Sequence, residues 1–180
     1  MNLFDKNFKE IFSSQIVLVL CGLFSGTILA MYTNNILLIP GIIIMLPGFL
    51  EMRGNISGSL ASRISSGLFL GVIKPHKYRT KIIKGNMIAS FLLVLIVAFA
   101  LGLLSFAFVY IVFKQTIIKL IILPLVAAVI ANIIEIPLTL FTTFYLFNKG
   151  HDPNNIMAPF VSTTGDITSI ISLLIALVIL

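Results

Sequence analysis

The chain has very little with which to build a thiolate site, a disulfide or a soluble surface. Its 180 residues include a single cysteine, Cys21. That excludes a disulfide framework and a thiolate metal cluster, and leaves a small apolar residue inside an apolar run. Charged residues make up only 10 %, against about 25 % in soluble domains. No stretch is long and polar enough to form a separate soluble domain. The two histidines, His76 and His151, fall in short polar connections, so imidazole ligands are missing from the apolar segments. Also missing are a His-Glu-x-x-His element, a Gly-x-Ser-x-Gly element and a paired-Asp phosphotransfer motif.

Hydrophobic residues, by contrast, are 59 % of the chain. At about 1.5 Å per residue and a core of about 30 Å, this length accommodates about five spans. The expected fold is an all-α membrane protein, one domain over residues 1–180, with five transmembrane helices. The first span runs from Gln15 to Tyr32 and ends at Thr33-Asn34-Asn35. The region from Ile36 to Ile73 is too long for one straight crossing and contains Pro40, Pro47, Gly48, Gly54 and Gly58. It predicts a steeply tilted or broken second helix, with a half-span before Pro47. The third span covers Asn86 to Phe113, the fourth Ile121 to Phe147, and the fifth follows the turn at 148–155 and continues to the C-terminus.

The net charge of +6 is a topological signal. Lys74, Lys77, Arg79, Lys81 and Lys84 crowd one short loop without interleaved aromatics, which fits anionic lipid and not nucleic acid. With five spans, Lys6, Lys9, that loop and Lys149 share one side, and only Lys114 and Lys119 lie on the other. The positive-inside rule then puts the N-terminus in the cytoplasm and the C-terminus outside the cell membrane. Lys6 and Lys9 precede the first apolar run without a small-residue cleavage site after it, so the run is expected to be retained as a span.

Against this apolar background stand three acids: Glu51, Glu135 and Asp166. A charge at membrane depth costs about 3 kcal/mol on insertion scales, so each needs a partner, a cavity or a bound cation. Helical spacing gathers polar residues around them. Asn55, Ser59, Ser62 and Ser66 share one face; Asn132, Glu135, Thr139 and Thr142 share a second; Ser162, Asp166 and Ser169 share a third. Singly, such residues glue helices together. Three stripes with acids in or beside them predict a shared polar path. Gly22/Gly26, Gly54/Gly58 and Gly67/Gly71 permit close helix approach. The potential ligands are all oxygens, which suits Mg²⁺, Ca²⁺ or Mn²⁺ better than Zn²⁺ or Cu⁺. Arg63, also at depth, is expected to pair with Glu135 or to snorkel to the headgroups.

The segment from Ile39-Pro40 through Met52-Arg53-Gly54-Asn55-Ile56-Ser57-Gly58 to Leu60-Ala61-Ser62-Arg63-Ile64-Ser65 resembles the Pro … Gly-Asn … Ala-Ser-Arg signature of MgtE-type magnesium transporters. It is closer still to their eukaryotic solute-carrier relatives. Asp152-Pro153 … Ala158-Pro159 … Thr163-Thr164-Gly165-Asp166 resembles the Asp-Pro … Pro … Thr-Thr-x-x-Asp signature of the family's last helix, although here only Gly165 separates Thr164 from Asp166. The resemblance implies a homodimer of five-helix units in the lipid bilayer, with a path for divalent cations on the shared axis. It implies Mg²⁺ as transported ion rather than cofactor. Asp166 takes the position of the family's ion-holding acid, and Gly54 with Asn55 that of the second-helix lining. Ser162 and Glu135 complete the expected metal set. Regulatory domains like those of bacterial members, and the tandem duplication of the eukaryotic relatives, have no counterpart in this sequence, so gating through them is not carried over. Two other classes stay open at this point: an intramembrane enzyme, for which Asp166 lacks a nucleophile or base partner, and a non-transporting subunit of a membrane complex.

Overall fold

The structure is a computed structural model, and it describes residues 6–33 and 41–180. Among the described residues five helices follow one another: α1 (Lys6–Met31), α2 (Ile42–Phe69), α3 (Lys81–Phe113), α4 (Lys119–Asn148) and α5 (Pro153–Ile179). Local chemistry sets several of the ends. Thr80 caps α3 by accepting from the Ile83 amide at 3.3 Å. Asp152 caps α5 by accepting from Asn154 N–H at 2.9 Å, and Pro153 occupies the first helical position, where its missing N–H costs nothing. Lys114, in the left-handed region at φ 56°, ends α3.

Four helices, α1, α3, α4 and α5, are long and apolar enough to cross a membrane. The second falls short because Glu51, Arg53 and Arg63, together with its Ser, Asn and Gly content, lower its mean hydropathy. It is nonetheless the centre of the bundle, packed against α3, α4 and α5. Met45, Phe49, Leu60 and Ile64 on its inner face are fully enclosed. A helix surrounded by other helices can carry polar groups that a lipid-facing helix cannot.

The expected break in α2 does not occur among the described residues, which exclude 34–40 and so the first part of the expected half-span. The helix runs unbroken from Ile42 through Pro47. Pro47 sits in the second turn, where it removes only one ladder bond and leaves the Ile43 carbonyl without its usual donor. Two further prolines are matched by close neighbours. Pro124 cannot bond the Leu120 carbonyl, and Gly102 of α3 packs onto that carbonyl. Pro159 frees the Asn155 carbonyl, and Ser14 Oγ of α1 lies 3.2 Å from it.

Contacts at the two ends establish the helix directions. At one end Lys6 Nζ donates to the Gly150 carbonyl at 2.6 Å, His151 Nδ1 lies 2.8 Å from Glu10 Oε1, and Phe69 meets Phe147 edge to face. At the other end Lys119 Nζ donates to the Leu180 carbonyl at 2.6 Å, and Gly41 lies against Val109 and Leu120. The start of α1, the 70–80 loop and the α4–α5 turn therefore share one face of the bundle, and α2 traverses its whole depth.

The tightest helix crossing is at Gly102. A Cβ there would lie 2.9 Å from the Ile121 carbonyl oxygen and 3.0 Å from that of Leu120, both backbone atoms that cannot turn aside. Gly102→Val is expected to lower stability by about 1–3 kcal/mol through overpacking. Gly85→Ala, in the first turns of α3 with nothing within 4 Å of the added carbon, should instead raise it by about 0.5–1 kcal/mol. Thermal unfolding in detergent checks both, and equal effects of the two changes refute the close crossing.

Candidate functional site

The small residues of α2 and α5 let the two helices nearly touch. A Cβ at Gly54 would lie 3.6 Å from the Cα of Ser162, and one at Gly165 would lie 3.9 Å from the Gly54 amide nitrogen. A crossing this close leaves room for no more than a methyl group between the backbones, so polar groups gather on either side of it.

On the outer side a half-open cavity of about 690 Å³ is lined by Glu51, Gly54, Asn55 and Gly58 of α2, Ser162 and Asp166 of α5, and Gln15 of α1. Four sequence-predicted residues, Gly54, Asn55, Ser162 and Asp166, are thus brought together. Glu51 joins them, donated to at 3.0 Å by Asn55 Nδ2 one helical turn on, and its charge acts directly on Asp166. Glu51 was legible in the sequence as the residue four before Asn55 on the same stripe, but spacing alone does not say whether the polar face begins at Glu51 or after it. Gln15 could not have been found, because nothing in the sequence says where α1 lies against α2. Among the described residues neither Glu51 nor Asp166 has a cationic nitrogen within ion-pair distance.

Glu135 is on the inner side and does not line this cavity. Completely enclosed, its carboxylate accepts from Thr164 Oγ1 at 3.0 Å and Thr168 Oγ1 at 3.1 Å. The guanidinium of Arg53, equally buried, attracts it electrostatically and donates to Asn132 Oδ1 of α4. The expected Arg63–Glu135 pair is therefore not formed. Arg63 is exposed on α2, and its Nη2 donates to Ser90 Oγ of α3 at 3.0 Å. Arg53 takes its place opposite Glu135 because ten residues along a helix is close to three turns, which carries Arg63 to a different neighbour.

The three polar stripes therefore part company. The α4 stripe faces inward, with Asn132, Glu135 and Thr139 buried, and the α5 stripe is divided between Ser162 and Asp166 at the cavity and Ser169 in the core. The α2 stripe is the unusual one. Glu51, Asn55, Ser59, Ser62 and Ser66 are all exposed on a helix in the middle of an apolar bundle. Lipid tails offer such groups nothing.

Chemically the cavity offers two carboxylates, two amides and a hydroxyl, whose possible ligand atoms are all oxygens, beside backbone without side chains. Its volume admits an ion that keeps part of its water shell. A family model described as MgtE, divalent cation transporter, matches residues 46–176, from the second turn of α2 almost to the end of α5. No curated protein and no solved structure matches the chain.

With two like charges facing one cavity and no counter-ion, neutralising either should steady the metal-free protein. Glu51→Gln and Asp166→Asn are each expected to raise the unfolding midpoint in chelator by a few degrees, the scale of about 1 kcal/mol between like charges a few ångströms apart in water. The double change should add little beyond the larger single effect, because both remove the same repulsion. Lowered midpoints for both single variants refute the repulsion.

Proposed function

We propose, from the premise that this chain belongs to the MgtE family of divalent cation transporters, that it carries Mg²⁺ across the cell membrane along the polar face shared by α2 and α5. The family is one of transporters, and the reading is transport and not catalysis. The observation that supports it most is the pair Glu51 and Asp166, which face one cavity with no protein cation to neutralise them. Asp166 lies thirteen residues into α5, about 20 Å along a helix of about 40 Å. At that depth an uncompensated acid is least tolerable, and a passing cation supplies the compensation. Mg²⁺ dehydrates reluctantly and is held by one or two carboxylates with waters retained. A half-open cavity with two acids and few other ligands suits it. In this reading Asp166 is the principal ligand, Glu51, Asn55 and Ser162 are its oxygen neighbours, and Gly54 keeps the wall thin.

The same reading takes α2 as the fifth span, since it traverses the bundle from Gly41 beside Val109 to Phe69 beside Phe147. Eight basic residues, Lys6, Lys9, Lys74, Lys77, Arg79, Lys81, Lys84 and Lys149, gather at one end of the bundle, against Lys114 and Lys119 at the other. That bias supports a cytoplasmic N-terminus and an external C-terminus. The uncovered polar stripe of α2 supports a two-fold homodimer in which a second copy covers it. An isologous contact there sets the two cavities about one axis and doubles the acids along the path.

Asp166→Asn keeps the shape and removes the charge. In proteoliposomes with a Mg²⁺-sensitive dye inside, it should cut uptake by more than tenfold, since losing even about 1.4 kcal/mol of ion contact is tenfold. Asn55→Ala should reduce uptake less, because a neutral oxygen holds a hard cation more weakly than a charge. Wild-type uptake in Asp166→Asn overturns the reading. No uptake by the wild-type chain in any orientation would favour a non-transporting subunit. Native mass spectrometry checks assembly, with monomers that still transport refuting the dimer.

A further inference from the structure

A second cavity adjoins the first. About 770 Å³ in volume, it lies between α1 and α5, the helix on which α1 chiefly rests. Leu18 and Pro159 line both this cavity and that of Glu51 and Asp166, so it reaches between the helices and is more than a dent in the lipid-facing surface. One end of it is cationic. Lys6, Lys9, Glu10 and His151 stand there, at the basic end of the bundle. Glu10 is already engaged: His151 Nδ1 lies 2.8 Å from Oε1, Asn155 Nδ2 donates to Oε2 at 3.1 Å, and Lys6 Nζ is 3.8 Å away. Lys6 also donates to the Gly150 carbonyl, one use of its three N–H groups. Lys9 has no hydrogen-bond or ion-pair partner among the described residues. Three residues apart, the two lysines share a face of α1.

Towards the other end the walls are apolar, built from Val17, Leu18, Cys21, Ile156, Phe160 and Ile167. Thr163 and Thr164 also line it, but their hydroxyls donate at 2.9 Å to the Pro159 and Phe160 carbonyls of their own helix. Such walls offer water few partners, whereas a hydrocarbon chain gains dispersion contacts along them. The dimensions agree with that occupant. From Lys9 to Cys21 is twelve residues, about 18 Å along α1, close to half of a hydrocarbon core of about 30 Å. Positive charge at one end and one leaflet's depth of apolar wall match the profile of an anionic lipid.

We propose that this cleft is a binding site for one anionic phospholipid from the leaflet at the basic end of the bundle, with its phosphate at Lys6 and Lys9 and one acyl chain laid between α1 and α5 as far as Cys21. The chain seats against Leu18 and Pro159, the wall shared with the first cavity. The lipid fills the space beside α1, which has no other helix to pack against closely. Neither headgroup nor chain depends on an ion in the first cavity, so this site stands or falls apart from the transport reading.

The test is native mass spectrometry on the purified full chain, stripped of lipid in detergent and then given equal amounts of phosphatidylglycerol and phosphatidylcholine with the same acyl chains. The wild type should retain one phosphatidylglycerol per chain in preference to phosphatidylcholine. Lys9→Gln, which breaks no contact among the described residues, should reduce that preference by about fivefold, the weight of one lysine near an anionic surface. Adding Lys6→Gln should remove it. Lys77→Gln with Arg79→Gln, in the other basic segment at the same end, should leave it unchanged. Cys21→Phe, which fills the inner end of the cleft, should weaken retention of phosphatidylglycerol by more than tenfold. Dihexanoyl phosphatidylglycerol, whose chains stop short of Cys21, should bind the wild type with a similar loss, and it stands in if Cys21→Phe does not fold. Equal retention of the two lipids by the wild type overturns the proposal. So does a preference that survives loss of both lysines, or one that falls with the Lys77 and Arg79 changes instead, which places the headgroup at that loop. Full retention both by Cys21→Phe and of the short-chain lipid overturns it as well, since the lipid is then held by its headgroup alone.

Discussion

Everything in this molecule is arranged around the cost of a carboxylate in an apolar bundle. Three acids enter it, and the helices treat them in two ways. Glu135 is satisfied from within, by two threonine hydroxyls and the charge of Arg53. Among the described residues Glu51 and Asp166 have only Asn55 and each other. In a low-dielectric interior an unpaired charge does not persist without compensation, so the contrast between the two groups divides what holds the fold together from what is open to a ligand.

That division depends on glycine. The crossing of α2 and α5 at Gly54 and Gly165 brings the two helices close enough for one polar chamber to form on each side, with little between them. A methyl group at either position would meet its neighbours at ordinary contact distance, and a larger side chain would push the backbones apart and merge or close the chambers. The α3–α4 crossing at Gly102 is closer still and holds these two helices together beside the buried face of α2, which carries Arg53, while Glu51 and Arg63 stay exposed. Packing of small residues is the usual source of helix association in lipid, where apolar burial gives no net drive between helices.

The helices themselves were largely readable in the sequence. Turn residues at 148–155 and the apolar runs place α4 and α5 close to their observed limits, while α3 begins at Lys81, ahead of the expected Asn86. The second helix was harder. Proline and glycine pointed to a break, yet Pro47 lies so near the helix start that its lost bond is a minor disturbance. Within the site, Asp166, Asn55, Gly54 and Ser162 were legible because acids and amides in apolar segments stand out. Glu135 stood out by the same signal and yet turned to the other side of the crossing. Of the alternatives held open for Arg63, pairing with Glu135 is not the one formed, since periodicity records which face of a helix a residue shares but not which neighbour that face meets.

By itself the sequence determined the class of molecule, the spans, the charge bias between the two ends and the inventory of costly groups, because these follow from composition and from the period of a single helix. Tertiary structure decided which acid is enclosed and hydrogen-bonded and which faces the cavity. Glu51, Glu135 and Asp166 are indistinguishable as residues in apolar surroundings. What separates them is the order in which five helices pack and the side of one glycine crossing on which each side chain lies. Both are set by contacts among residues far apart in the chain, and no local pattern carries them.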